Sequence, residues 1–203
     1  MWKLFKRLVS LLVIAGVLYT YSAYRDRKAL NDGVIRLHVV ADSDEQEAQS
    51  IKLKVRDAVL TALEDITGGA ESKEELMQRL RNHLQTLETA ANQVLEKCSY
   101  PCKAAVSLEQ ESFDTRDYET FSLPAGVYES LRVTIGSGEG KNWWGVVFPQ
   151  LCLPAASTEV ESVAVGAGFS EGLSKTLTKQ PGYEIRFFFL DCLGHLENYF
   201  KKG

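Results

Sequence analysis

The sequence predicts an α+β protein: an antiparallel or mixed sheet packed against a long two-helix hairpin, preceded by an N-terminal signal or anchor helix. Three observations carry that expectation. Residues 1–24 contain no Asp or Glu and include an uncharged run, Leu8–Tyr24. Between Glu45 and Val94, apolar residues recur three and four apart, as in helices with one buried face. Beyond Pro101 the period changes to two, the spacing of strands.

The leader comes first. Lys3, Lys6 and Arg7 precede a strongly apolar core, Leu8–Leu18, which has the length of a signal-peptide h-region. As a helix, Leu8–Tyr24 rises about 25 Å, a little under the hydrocarbon thickness of a bilayer. Tyr19, Tyr21 and Tyr24 suit a membrane–water interface, with Arg25, Arg27 and Lys28 just outside it. We therefore expect residues 1–24 to be a signal peptide or membrane anchor, 25–32 a linker, and 33–203 a single extracytoplasmic domain. Removing Lys3, Lys6 and Arg7 from the 23 basic residues leaves 20 against 27 acidic ones, a net charge of −7. A body so acidic, without a basic run, argues against nucleic-acid binding, whose affinity comes mainly from neutralised phosphates.

Val34–Val40 alternates, with Ile35, Leu37 and Val39 on one face and Arg36 and His38 on the other, so a half-buried strand is expected. Ser43 with Gln46 reads as a capping box opening a helix that runs to Ile66 on Ala48, Ile51, Val55, Val59 and Ala62. Thr67-Gly68-Gly69 stops it. Ser72 with Glu75 opens a second helix, striped by Leu76, Leu80, Leu84, Leu87, Ala91 and Val94. Strands are expected at 103–109, 118–123, 127–135 and 143–148, with Gly136–Gly140 as a flexible hairpin loop between the last two. Pro149 and Pro154 bound a turn-rich passage around Cys152. Glycines obscure 160–177, though 169–177 has helical character. Glu184–Leu190 (EIRFFFL) reads as a buried strand and Asp191–Phe200 as a short closing helix.

Candidate chemistry is sparse. His38 with Asp42 or Asp44 could supply two members of a hydrolytic triad, but no nucleophile motif accompanies them. Asp42-x-Asp44-x-Gln46 starts like a calcium loop and fails at Glu47, where Gly is required, and at Leu53, where Glu is required. Gly136-x-Gly138-x-Gly140-Lys141 lacks the spacing and the following helix of a phosphate-binding loop. No metal or cofactor is expected. Cys98, Cys102, Cys152 and Cys192 are possible disulfide partners in an oxidising compartment; 98–102 with 152–192 is the simplest pairing, and buried free thiols are the alternative. Trp143-Trp144 resists a purely structural account. Adjacent strand residues point to opposite faces, so one Trp can enter the core while the other is presented outward as a binding anchor.

The segments Ile35–Asp44, Leu53–Val59, Leu123–Tyr128, Leu131–Gly136, Gly138–Trp144 and Phe148–Cys152 together resemble the stage II sporulation protein R family. The resemblance runs from about residue 33 to 152, with a weaker match through Glu184–Leu190. It implies a non-enzymatic signalling protein of endospore formation, exported from the forespore into the space between forespore and mother cell. There it would activate a septal membrane-embedded aspartic protease, triggering processing of pro-sigma-E in the mother cell. The family supplies no catalytic residues to carry over. The partner-binding residues we expect are Lys141, Asn142, Trp143 and Trp144, and secondarily Arg36, His38, Asp42 and Asp44. The competing expectation is an envelope hydrolase built on His38 with Asp42 or Asp44.

Overall fold

The computed structural model describes residues 1–70, 72–118, 120–148 and 160–202. Along the chain run α1 (Trp2–Gly33), β1 (Ile35–Val40), α2 (Gln46–Thr67), α3 (Lys73–Lys97), β2 (Ala104–Phe113), β3 (Arg116–Asp117), β4 (Ser122–Leu123), β5 (Gly126–Ile135), β6 (Asn142–Phe148), α4 (Val160–Gly166), α5 (Glu171–Leu177) and α6 (Glu184–Lys202). The class is α+β with a mixed sheet, as the sequence predicts. The passage around Cys152 lies outside the described residues. Two compact units form: residues 33–111 with 128–168, and residues 1–32 with 112–127 and 169–203.

The larger unit holds the sheet, in the order β2-β5-β1-β6. β1 pairs parallel with β5 (Leu37 opposite Leu131) and antiparallel with β6 (His38 opposite Trp144). Gly136–Gly140 is therefore no hairpin loop: β5 and β6 are separated by β1, and the segment must cross the end of β1 to join them. β1 is also not half-buried, because all six of its residues are enclosed. Ile35, Leu37 and Val39 join Leu131, Val133 and Val147 in one apolar cluster with α2 and α3. On the opposite face the Arg36 guanidinium lies 5.3 Å from the Tyr128 ring, so the charge is held against an aromatic surface.

α2 and α3 follow their stripes closely. Ile51, Val55, Val59, Leu63 and Ile66 of α2 are buried, as are Leu76, Leu80, Leu87, Ala91 and Leu95 of α3. Truncating any of the leucines to Ala removes a side chain from a filled cluster, which typically costs 2–5 kcal/mol. The second capping signal holds, since the Ser72 hydroxyl accepts from the Glu75 amide at 3.2 Å. The first does not. The N-cap is Glu45, without a side-chain cap, and Ser43 is drawn into another structure described below. β2 lies at the sheet edge, where unpaired amides invite aggregation. α3 covers two of them: Asn92 exchanges a pair of 2.9 Å hydrogen bonds with the Ala104 backbone, and Glu88 accepts from the Val106 amide.

The smaller unit differs from its sequence expectation in three places. The strand expected at 118–123 is a short hairpin, with Arg116 opposite Leu123 and Asp117 opposite Ser122. EIRFFFL is not a strand but the first two turns of α6. Phe187, Leu190, Gly194 and Asn198 are buried on one side of it, a helical period that the local β-preference of Ile and Phe conceals. Packing against α1 decides the matter. Arg27 of α1 pairs with Glu197 at 2.7 Å, and Asp26 pairs with Arg186. Residues 25–32, expected as a linker, continue α1, with Asp26, Arg27 and Leu30 buried. The apolar stretch preceding them is exposed, long enough to cross a membrane, and compatible with a signal or an anchor. Ser170 caps α5 by accepting from the Leu173 amide, in the region where the sequence shows helical character.

Candidate functional site

The chain leaves β1 through Ala41–Asp44 at the end of the sheet where 136–141 crosses from β5 to β6. The two segments are tied together. Asp42 Oδ1 accepts from the Ser137 amide at 2.7 Å, and the Asp42 carbonyl accepts from the Ser137 hydroxyl at 2.9 Å. The Gly140 amide donates to Ala41 O at 2.9 Å, and the Lys141 amide donates to Asp44 Oδ1 at 2.7 Å. Lys52, buried in α2, reaches up to the Lys141 carbonyl at 2.9 Å. The segment expected to be flexible is thus fastened on both sides. Glycine is required where the segments touch: a Cβ on Gly140 would lie 2.2 Å from Ser43 O, and one on Gly136 would lie 2.0 Å from Asp42 Oδ1.

The electrostatics follow from these contacts. The Ser137 amide, helped by Cys102, Tyr100 and the Ser137 hydroxyl, holds the Asp42 carboxyl below its ordinary value despite partial burial. Burial, reinforced by the Asp42 charge, pushes the Cys102 thiol and the Tyr100 hydroxyl up. Lys52 is pushed down by burial, against the attraction of Asp44.

From this tip β6 carries the two tryptophans to opposite faces, as the alternation expects. Trp143 packs against the helix-side cluster with the Arg56 guanidinium 5.1 Å from its ring. Trp144 stacks on His38, with ring centroids 3.8 Å apart. His38 Nδ1 lies 2.9 Å from Glu111 Oε1, which also accepts from Arg132 Nη1 at 2.6 Å. Burial alone would raise the Glu111 pKa, but His38, Ser130 and Arg132 outweigh it and bring it down to about 2. Glu111 is then a pure acceptor, so His38 Nδ1 carries the proton in that hydrogen bond. The Glu111 carboxylate, the His38 imidazole and the Arg132 guanidinium therefore form one continuous support for the Trp144 indole.

The expected site residues divide into a surface and its foundations. Lys141, Asn142 and Asp44 are exposed, and Trp143 and Trp144 are partly so. Asp42 ties the loops together. Arg36 is fully buried and His38 nearly so, and both act from beneath. The pairing of His38 with Asp42 or Asp44 does not form: His38 meets Glu111, while both aspartates accept from loop amides. Glu111 and Arg132 escaped the sequence reading. Strand parity was the available signal, since it places both on the face that carries His38. Among the described cysteines no disulfide forms. Cys102 donates to Asp42, Cys98 accepts from Lys54 at 3.7 Å, and Cys192 is exposed.

Comparison with known proteins fixes the kinship. The family described as stage II sporulation protein R matches residues 31–158, a stretch that contains the tip and both tryptophans. The chain belongs to the stage II sporulation protein R family. The stage II sporulation protein R of Bacillus subtilis (strain 168) is 31% identical over 187 residues, covering 81% of this chain and 82% of the relative. No solved structure matches. Membership of the stage II sporulation protein R family gives this chain a role in sporulation.

Proposed function

We propose that this chain is an exported signal of endospore formation, released from the forespore into the intermembrane space or anchored there by α1. It binds the extracytoplasmic face of a septal membrane-embedded aspartic protease through Lys141, Asn142, Trp143 and Trp144, with Asp44 at the rim. Binding favours the active arrangement of that protease, which then processes pro-sigma-E in the mother cell. The observation that supports this reading is the fastened tip, which holds two partly exposed tryptophans, one on each face of β6, on preorganised backbone at the sheet edge. A ligand shifts a receptor equilibrium only by its differential affinity for two states, and a rigid ligand loses less of that difference to its own ordering.

In sporulating cells, Trp144→Ala leaves the chain folded and exported while processing of pro-sigma-E is lost. Normal processing by this variant would remove the tip from the account. A second reading has one observation in its favour: His38 oriented by a carboxylate is the arrangement of a general base. Trp144 covers that imidazole, and the hydrolase reading requires substrate turnover by the purified chain alone, abolished in Glu111→Gln.

A further inference from the structure

α6 has two apolar faces, and only one of them is used within the fold. Phe187, Leu190 and Gly194 are buried, and Gly194 sits so close to Ala125 that a Cβ would lie 1.7 Å from its carbonyl oxygen. On the opposite side Ile185, Phe188, Phe189, Leu196, Tyr199 and Phe200 are all exposed. They lie three, four, eleven, fourteen and fifteen residues from Ile185, which gathers them into one stripe along the helix. Five of the six are more than half exposed, and Tyr199 reaches 76%. An unbroken apolar surface of this kind on a water-facing helix marks a contact.

The same unit shows what covers it. The Phe189 ring meets the Tyr19 ring edge-on, with centroids 5.1 Å apart, and Leu193 borders a groove with Val13, Val17 and Tyr21 of α1. These contacts lie toward the apolar end of α1, whose membrane-length stretch is itself uncovered. The contacts on the other side of α6 reach the later turns of α1 and the 112–127 segment. Glu197 pairs with Arg27 and Asn31, and Asn198 donates to Phe113 O at 2.8 Å. The stripe thus meets the exposed apolar surface of α1 at Phe189 and Tyr19. We infer that α6 is an interfacial helix whose stripe rests in the phospholipid leaflet from which α1 emerges. Its aromatic composition suits the headgroup–acyl boundary.

This inference is separate from the receptor reading and rests on α1 residing in a bilayer. The test places the full chain in vesicles of phosphatidylethanolamine and phosphatidylglycerol. Cys192, which lies within the stripe, carries an environment-sensitive fluorophore, with the other three cysteines replaced by Ala. Lipids brominated on their acyl chains should quench this label and spare one placed at Glu139→Cys. Phe188→Ser with Phe200→Ser should return the Cys192 label to water while the chain still floats with the vesicles. In the unmodified chain, a photoreactive lipid should label α6 peptides as well as α1 peptides. Three results would overturn the inference: iodide quenching of the Cys192 label equal to that at position 139, emission that follows protein density instead of lipid identity (a second copy covering the stripe), or lipid labelling confined to α1.

Discussion

Gly140→Ala probes the fastened tip with the smallest possible change. The added Cβ would lie 2.2 Å from Ser43 O and 2.5 Å from Ser43 C, both backbone atoms that cannot rotate away. Ordinary carbon–oxygen contacts begin near about 3.3 Å, so the two segments must separate by roughly 1 Å. That movement breaks the Gly140–Ala41 hydrogen bond of 2.9 Å and the Glu139–Asp42 bond of 3.3 Å. Overpacking of this kind costs about 1–3 kcal/mol, and each lost hydrogen bond about 0.5–1.5 kcal/mol, for a local destabilisation of about 2–6 kcal/mol. Because the chain forms two compact units, local amide exchange reports this better than global unfolding. At about 1.4 kcal/mol per tenfold, exchange of the Ser137, Gly140 and Lys141 amides should accelerate at least about thirtyfold. Gly166→Ala is the control, since a Cβ there meets nothing within 4 Å. Equal exchange in the two variants would refute the fastened tip.

Other outcomes follow from the same structure. The Glu111 pKa is depressed from 4.5 to about 2, so its contribution is fully present above pH 4.5 and is lost as the pH falls toward 2. Glu111→Gln should remove about 3 kcal/mol of that acid dependence, seen as a flatter melting-temperature profile between these limits. Trp143→Ala and Trp144→Ala should separate: the first loosens the packing beneath α2 and lowers the melting temperature more, while the second forfeits a stacked pair with His38 worth about 0.5–1.5 kcal/mol. Asn92→Ala should leave the Ala104 backbone unpaired at the sheet edge and speed exchange of its amide, with a cost of about 1–3 kcal/mol.

The parts of the fold that were legible in the sequence are those whose partners are close in the chain. α2 and α3 show their buried stripes directly, and Ser72 caps α3 three residues from the amide it serves. The alternation of β1 was equally clear, but the burial of Arg36 and His38 was not. It depends on Tyr128, Trp144 and Glu111, residues more than seventy positions away. Sequence order also misled at 136–140, because a strand from the start of the domain inserts between β5 and β6. Seven residues with three consecutive Phe make EIRFFFL look like a buried strand, and a run so short cannot separate strand from helix by period. Only when read through to Phe200 do its two helical stripes emerge. Of the candidate site, the exposed residues were visible as an unusual cluster of Gly, Lys and Trp. Their support was hidden because Asp42 resembles a helix cap and Glu111 an ordinary strand residue.

The proposed signalling role requires that this chain act by contact on a membrane protease. The direct measurement is pro-sigma-E cleavage in vesicles holding the candidate receptor protease, with and without the purified chain. Cleavage should require both proteins and the receptor's catalytic aspartate, and should fail with Trp144→Ala. Cleavage at the same rate without the chain, or undiminished with Trp144→Ala, would contradict it.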